Sequence, residues 1–118
     1  MRILVVEDEP LLAMLLEDDL AELGHEAGGS AATVEQAMGM LDASSYDAAL
    51  LDYSLSENTT SAPVAERLKR EGKPFCYLSG HTSIGSGDHA PEAPLLTKPV
   101  SLAALRGALD SMVSRPAD

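Results

Sequence analysis

Basic residues are scarce in this sequence of 118 residues. Eight Lys and Arg stand against nineteen Asp and Glu, which gives a formal net charge of −11. Proteins that bind nucleic acid neutralise backbone phosphates with clustered cations, and a surface of the opposite sign repels the same phosphates. We therefore expect no direct binding of DNA or RNA.

Long apolar runs and paired cysteines are missing as well. The apolar runs, such as Ile3–Val6 and Ala48–Leu51, fall far short of the roughly 20 residues that a membrane helix needs. The N-terminus leads straight into the first run, without the succession of charged leader, apolar stretch and cleavage site, so no export signal is expected. The single cysteine, Cys76, lies inside an apolar run, where we expect a buried small hydrophobe rather than redox chemistry. These absences predict a cytoplasmic protein without a membrane segment.

The length and composition of the chain fit one globular domain. Hydrophobic residues make up 45% and charged residues 23% of the sequence, which is an ordinary balance for a folded domain. A chain of this length has enough apolar surface for a single core. We expect one domain over residues 1–118 and no effector domain beside it.

Short apolar runs alternate with stretches of helical periodicity. The runs predict strands at Ile3–Val6, Ala48–Leu51, Phe75–Leu78 and Ala93–Thr97, with a weaker one at His25–Ala32 because it contains two glycines. Helices are predicted from Pro10 to Gly24, from the cap Thr33 to Leu41, over Ala62–Glu71, and, after Ser101, from Leu102 to Val113. Residues 80–94 are rich in Gly, Pro and Ser, so a helix there is expected to be short or disordered. The alternation predicts an α/β fold with a doubly wound, five-stranded parallel sheet.

Polar side chains follow four of the predicted strands. They are Glu7 and Asp8 after the first strand, Asp52 after the third, Ser79 after the fourth and Lys98 after the fifth. In an open parallel sheet the ligand crevice lies at the carboxyl ends of the strands. Each signal alone has an ordinary explanation as a helix-start acid, a turn residue or a solvated charge. Their combination predicts a single site.

Three carboxylates in one crevice repel one another unless a cation relieves the charge or their pKa values rise. A set of hard oxygen ligands without sulfur or clustered histidine favours Mg²⁺ over zinc or copper. A carboxylate such as Asp52 can also be the nucleophile that forms an aspartyl phosphate, while Lys98 offsets charge on the transferring oxygens and Ser79 offers a hydroxyl to them. The pattern predicts Mg²⁺-dependent phosphoryl transfer.

Four motifs together resemble the receiver domain of two-component response regulators, from Ile3 to about Val113. The motifs are Val5-Val6-Glu7-Asp8-Glu9-Pro10, Leu50-Leu51-Asp52-Tyr53-Ser54-Leu55, Leu78-Ser79-Gly80 and Leu96-Thr97-Lys98-Pro99. The resemblance implies a flavodoxin-like (βα)5 fold whose fourth helix is short or disordered here. The protein would be a signalling phosphoacceptor rather than an enzyme acting on other substrates. Its phosphoryl donor would be a histidine kinase or histidine phosphotransfer protein, and its output would pass by contact to a downstream protein target.

The resemblance also assigns roles to individual residues. Asp52 would be the phosphoacceptor, Ser79 the switch hydroxyl and Lys98 the lysine that contacts the phosphoryl group. Glu7, Asp8 and Asp52 would hold Mg²⁺ together with the backbone carbonyl of Ser54. The Lys98–Pro99 peptide bond would be cis, as only proline readily allows.

Three departures from the family pattern affect output rather than chemistry. Leu95 stands where most receivers carry an aromatic switch residue, so rotation of a buried ring is not expected there. The segment between Ser79 and Lys98 is short, and Ser56-Glu57-Asn58-Thr59-Thr60 replaces the usual proline and glycine after the acceptor. With Pro74-Phe75-Cys76-Tyr77-Leu78-Ser79-Gly80-His81, these features are similar to an atypical alphaproteobacterial subgroup of receivers.

Two other functions remain open at this point. A haloacid-dehalogenase-like phosphatase would need a second Asp two residues after the nucleophile, where this sequence has Ser54. A pseudo-receiver would keep the fold and signal without phosphorylation, but its mark is loss of Asp52, Lys98 or an acid of the pair, and all are present. His81 lies near Ser79 in sequence and is interpreted as a solvated loop residue.

Overall fold

The computed structural model describes residues 1–53, 60–79, 93–98 and 100–113. Within these ranges the strands are β1 (Arg2–Val6), β2 (Glu26–Ala31), β3 (Ala48–Asp52), β4 (Phe75–Ser79) and β5 (Leu95–Thr97). The helices are α1 (Pro10–Glu22), α2 (Val34–Ala43), α3 (Ala62–Arg70) and α4 (Leu102–Val113). The predicted fourth helix and the Lys98–Pro99 bond involve residues outside the described part of the chain.

All five strands form one parallel sheet in the order β2-β1-β3-β4-β5. This is the flavodoxin-like strand order, in which the chain winds first to one side of β1 and then to the other. The predicted doubly wound parallel sheet is therefore confirmed. The order reverses between β1 and β3, so the carboxyl ends of these two neighbouring strands lie at the switch point.

Helices cover both faces of the sheet, and each face has its own apolar core. Along β1, Leu4 and Val6 belong to one buried cluster, while Ile3 and Val5 belong to the other. This division follows from the alternation of side chains along a strand. Because both faces are buried, the central strands are continuous apolar runs, as expected for an all-parallel sheet. Cys76 is fully buried in the second cluster, as predicted.

The weak strand signal at residues 25–32 has a local structural cause. The pairing of β1 with β2 shifts register between Ile3 and Val5, which is a β-bulge at the two glycines. Gly29 has a φ of 119°, which few other residues adopt. A Cβ atom at Gly28 would lie 2.5 Å from the ring of Tyr46, whose hydroxyl donates a hydrogen bond to the Gly28 carbonyl at 3.0 Å. The glycines that weaken the sequence signal are therefore required by the bulge and by Tyr46.

Local hydrogen bonds define where α2 begins. The Thr33 hydroxyl accepts a hydrogen bond from the Gln36 backbone N–H at 3.1 Å, and the Gln36 side chain accepts one from the Ala32 N–H at 2.8 Å. This confirms the predicted cap.

The apolar residues of α1 are only partly used by the core. Ala13, Leu16 and Leu20 are buried, whereas three large apolar side chains of the helix are exposed: Leu11 (62%), Met14 (51%) and Leu15 (48%). The helical periodicity correctly predicts the helix but not this division. In the described part of the chain, no helix has the length and apolar character needed to cross a membrane.

Candidate functional site

The predicted polar residues gather at the carboxyl edge of the sheet. Glu7 and Asp8 directly follow β1, Asp52 is the last residue of β3, Ser79 ends β4, and Lys98 directly follows β5. Backbone pairing fixes these neighbours: the Glu7 N–H donates to the Ala31 carbonyl at 2.9 Å, and the Lys98 N–H donates to the Ser79 carbonyl at 2.7 Å. The positions of the site residues are thus set by the ladder of the sheet.

Lys98 connects the two most deeply buried acids among the described residues. Its Nζ lies 2.9 Å from Glu7 Oε1 and 2.9 Å from Asp52 Oδ2. Glu7 and Asp52 are only 2% and 5% exposed, so both carboxylates need partners inside the protein. The second oxygen of Glu7 accepts a weaker hydrogen bond from the Glu9 N–H at 3.3 Å. The ammonium group of Lys98 is therefore close enough to contact a group bound covalently to the Asp52 carboxylate.

The crowding of charge shifts the pKa values in the site. Burial, followed by a side-chain hydrogen bond with Glu7, raises the pKa of Asp52 to about 7, although the hydrogen bond from Lys98 opposes the change. Burial lowers the pKa of Lys98, but its hydrogen bonds to Glu7 and Asp52 outweigh this effect and leave the pKa above its ordinary value. Lys98 stays charged, and the site favours one further positive charge, either a proton or a metal cation.

The acidic residues fit a divalent cation. One carboxylate oxygen from each of Glu7, Asp8 and Asp52 lies within 4.8 Å of the others. The donors are all carboxylate oxygens, and two of the three residues are buried, so a hard cation of the Mg²⁺ type suits the set. The backbone carbonyl of Ser54, the further ligand that the family resemblance implies, lies outside the described residues, as does His81.

Ser79 borders the site from the neighbouring strand. It is 7% exposed and pairs with Thr97 across β4 and β5, while Asp52 pairs with Leu78 across β3 and β4. Leu95, which stands at the position of the usual aromatic residue, is half-buried and packs against the first core cluster, paired with Tyr77. A half-buried leucine thus takes the place of an aromatic ring at this position.

An apolar cavity opens beside the site, and the sequence did not predict it. The cavity has a volume of about 360 Å³, and its lining includes Glu7, Lys98 and a set of apolar residues, Leu12, Leu15, Leu16, Leu78 and Val100. It adjoins the exposed apolar residues of α1. The doublets Leu11-Leu12 and Leu15-Leu16 were the available signal, because they make the apolar stripe wider than one buried face requires.

Solved structures provide the comparison with known proteins, since neither protein-family models nor curated proteins give a match. SdrG from Sphingomonas melonis Fr1 is 36% identical over 96% of each chain, with a TM-score of 0.82. The receiver domain of the response regulator PhyR from Erythrobacter litoralis is 26% identical over 99% of this chain and 95% of that one, with a TM-score of 0.85. A CheY-like response-regulator receiver domain from Methylobacillus flagellatus is 24% identical, covers 95% and 98% of the two chains, and has the same fold at a TM-score of 0.82.

Proposed function

Because this chain belongs to the response-regulator receiver-domain family, we propose that it is a phosphoacceptor switch. Asp52 receives a phosphoryl group from a phosphohistidine of a partner protein, a histidine kinase or a histidine phosphotransfer protein. The observation that carries the proposal is the buried contact of Asp52 with Lys98, beside Glu7 and Asp8. A buried acid so close to a lysine and two further acids is suited to accept and hold a phosphoryl group.

The reaction forms one bond and breaks another. A carboxylate oxygen of Asp52 attacks phosphorus, and the bond from phosphorus to the donor imidazole nitrogen breaks with its electron pair passing to that nitrogen. The attacking oxygen must be ionised, so the raised pKa of Asp52 makes a bound cation favourable to the reaction. Lys98 Nζ, 2.9 Å from Asp52 Oδ2, then contacts an oxygen of the phosphoryl group.

Mg²⁺ is the cation that this donor set fits. Glu7, Asp8 and Asp52 would hold it, with the Ser54 carbonyl as the proposed fourth protein ligand. When bound, it offsets the negative charge of the carboxylates and of the transferring phosphoryl oxygens. The hydroxyl of Ser79 serves as a hydrogen-bond donor to the modified Asp52 in this proposal.

The phosphoryl donor is proposed to dock on the exposed apolar surface of α1. Leu11, Met14 and Leu15 are each about half exposed or more, and Leu15 also lines the cavity that includes Glu7 and Lys98. Apolar side chains grouped beside a reactive centre are typical of protein interaction sites. A partner bound there would bring its phosphohistidine to Asp52, and downstream signalling would likewise proceed by protein contact.

Intact-mass analysis after incubation with acetyl phosphate tests the proposal. The wild type with Mg²⁺ should gain the mass of one phosphoryl group in a base-labile, hydroxylamine-sensitive form, and omission of Mg²⁺ should abolish the gain. Asp52→Asn should show no gain, while Asp110→Asn, which removes an exposed acid of α4, should behave as wild type. Absence of a gain in the folded wild type would contradict the phosphoacceptor function and favour a pseudo-receiver.

A further inference from the structure

Half of the basic residues of this acidic chain lie within seven positions. Arg67, Lys69, Arg70 and Lys73 are four of the eight Lys and Arg in the sequence. The first three belong to the last turns of α3, where cations complement the helix dipole. Residues 66–73 carry these four cations and two carboxylates, so the rest of the chain has a formal charge of −13. These residues therefore form a positively charged cluster in a protein that is otherwise negatively charged.

The dipole explains only part of the cluster. Arg67 is used within the protein: its guanidinium lies 2.7 Å from Asp42 and 2.9 Å from Glu71. Lys73 Nζ is 3.9 Å from Glu71, a loose contact. Lys69 and Arg70 are exposed and form no ion pair with any other residue among those described.

A tight turn brings two of these lysines to one groove. Gly72 has a φ of 71°, and the Gly72 and Lys73 N–H groups donate to the carbonyls of Lys69 and Leu68 at 3.1 and 2.9 Å. This is the Schellman arrangement that ends a helix and reverses the chain. The result is a groove of about 460 Å³, here called the basal groove, whose lining includes Lys69, Lys73, Pro74, Phe75, Ala93 and Pro94.

The basal groove lies at the opposite edge of the sheet from Asp52. Pro74 and Pro94 directly precede β4 and β5, whereas Ser79 and Lys98 mark the carboxyl ends of the same strands. A strand of five residues separates the two edges by roughly 15 Å. Occupation of the groove therefore requires no contact with the phosphorylation site.

The lining indicates the chemistry of the ligand. Two lysine ammonium groups attract carboxylates, and the prolines, Phe75 and Ala93 offer apolar contact. The two prolines have no N–H groups, so they cannot contribute to a backbone cradle for a phosphate. A DNA or RNA strand would place further phosphates against a surface that is strongly acidic outside the cluster, and a second copy of the chain would bring another strongly negative molecule.

We propose that the basal groove binds an acidic peptide segment of a partner protein, in which carboxylates alternate with apolar side chains. Such a segment is short enough to contact only the basic cluster. Its carboxylates match the two lysines of the groove, and its apolar side chains match the prolines, Phe75 and Ala93. The interaction is independent of phosphoryl transfer, since the groove contains none of the proposed site residues. The basal groove is a second docking surface, besides that of α1, for a protein that signals by contact.

Fluorescence anisotropy with a labelled synthetic peptide of alternating glutamate and leucine tests the proposal. The wild type should bind it, and the double variant Lys69→Glu, Lys73→Glu should bind at least about tenfold more weakly, a difference of about 1.4 kcal/mol. Arg106→Glu, which reverses an exposed cation of α4 outside the groove, is the control for charge reversal away from the groove and should bind like wild type. Circular dichroism checks that all three proteins are folded.

Amide chemical shifts on adding the peptide should change at residues 69–73, 75, 93 and 95 and be unchanged at residues 7, 8 and 52. Equal binding by the Lys69→Glu, Lys73→Glu variant, an equal loss in Arg106→Glu, or equal binding of a glutamate–serine peptide would overturn the proposal. Displacement of the peptide by a short DNA strand would do so as well. Asp52→Asn should bind the peptide normally, so failure here leaves the phosphoacceptor proposal untouched.

Discussion

Replacing Asp52 by asparagine should stabilise the metal-free protein, and more strongly as the pH rises. Asparagine keeps the shape of the side chain and removes its charge. In the folded protein the pKa of Asp52 is raised to about 7, from 3.8 in the absence of the protein environment. A raised carboxyl pKa means that the folded state binds the proton more tightly than the unfolded state does. The protonated carboxyl therefore stabilises the fold at low pH, and this stabilisation is lost as the pH rises through the pKa of the folded state.

The size of the effect follows from the two pKa values. A shift of about three units corresponds to about 4 kcal/mol once Asp52 is ionised in both states, above pH 8. About 2 kcal/mol of this is lost between pH 5.5 and 8.5, because at pH 5.5 the unfolded state is ionised while the folded state is still protonated. For a chain of 118 residues, 2 kcal/mol corresponds to a difference of about 8 °C in Tm.

Thermal unfolding followed by circular dichroism, in buffer with a chelator, measures the effect. The Tm of Asp52→Asn minus that of wild type should be larger at pH 8.5 than at pH 5.5 by about 8 °C. Asp110→Asn, at an exposed position, should show no comparable change with pH. Excess Mg²⁺ should raise the Tm of wild type and reduce the difference, because bound cation stabilises the ionised site. A difference that does not vary with pH would refute the electrostatic reasoning.

Three further predictions concern the lysine, the bulge and the docking surface. Lys98→Met should lower metal-free stability at pH 8 by about 2 kcal/mol, measured by urea unfolding, because two buried carboxylates lose their cationic partner. Gly28→Ala should lower the free energy of unfolding by about 1–2 kcal/mol, because its methyl group would clash with Tyr46. Gly39→Ala in α2, with open space around it, should raise the free energy of unfolding by about 0.5–1 kcal/mol. Equal effects of the two substitutions in the same unfolding assay would contradict this. Leu15→Glu should slow phosphoryl transfer from a phosphorylated partner about tenfold and leave labelling by acetyl phosphate unchanged; loss of both would indicate a damaged site.

The sequence predicts which polar residues lie together, because their positions depend on strand ends. An apolar run followed by a polar residue is visible in one dimension, and a parallel sheet necessarily brings such ends to one edge. Glu7, Asp52 and Lys98 are far apart in the chain, yet two hydrogen bonds from Lys98 join them. Nothing more than the correct fold class was needed to place them together.

Features that depend on the shape of neighbouring elements could not be predicted in this way. The bulge in β2 requires knowledge of the register against β1 and of the position of Tyr46. The exposure of Leu11 and Leu15 depends on how far α1 is covered by other elements, because helical periodicity identifies an apolar stripe but not what covers it. The basal groove joins the end of α3 to the start of β5, and no local pattern connects those two segments.

Under the proposed function, the charge of the site would link cation binding to phosphorylation. Three carboxylates and one lysine give a formal charge of −2 when all are ionised, which one divalent cation neutralises. Phosphorylation replaces a carboxylate of charge −1 with a group of about −2, so the modified site attracts the cation more strongly. By linkage, a cation that binds the phosphorylated site more tightly must also favour phosphorylation by the same factor. The same crowding that raises the pKa of Asp52 in the metal-free protein would therefore make the proposed phosphorylated state depend on the cation.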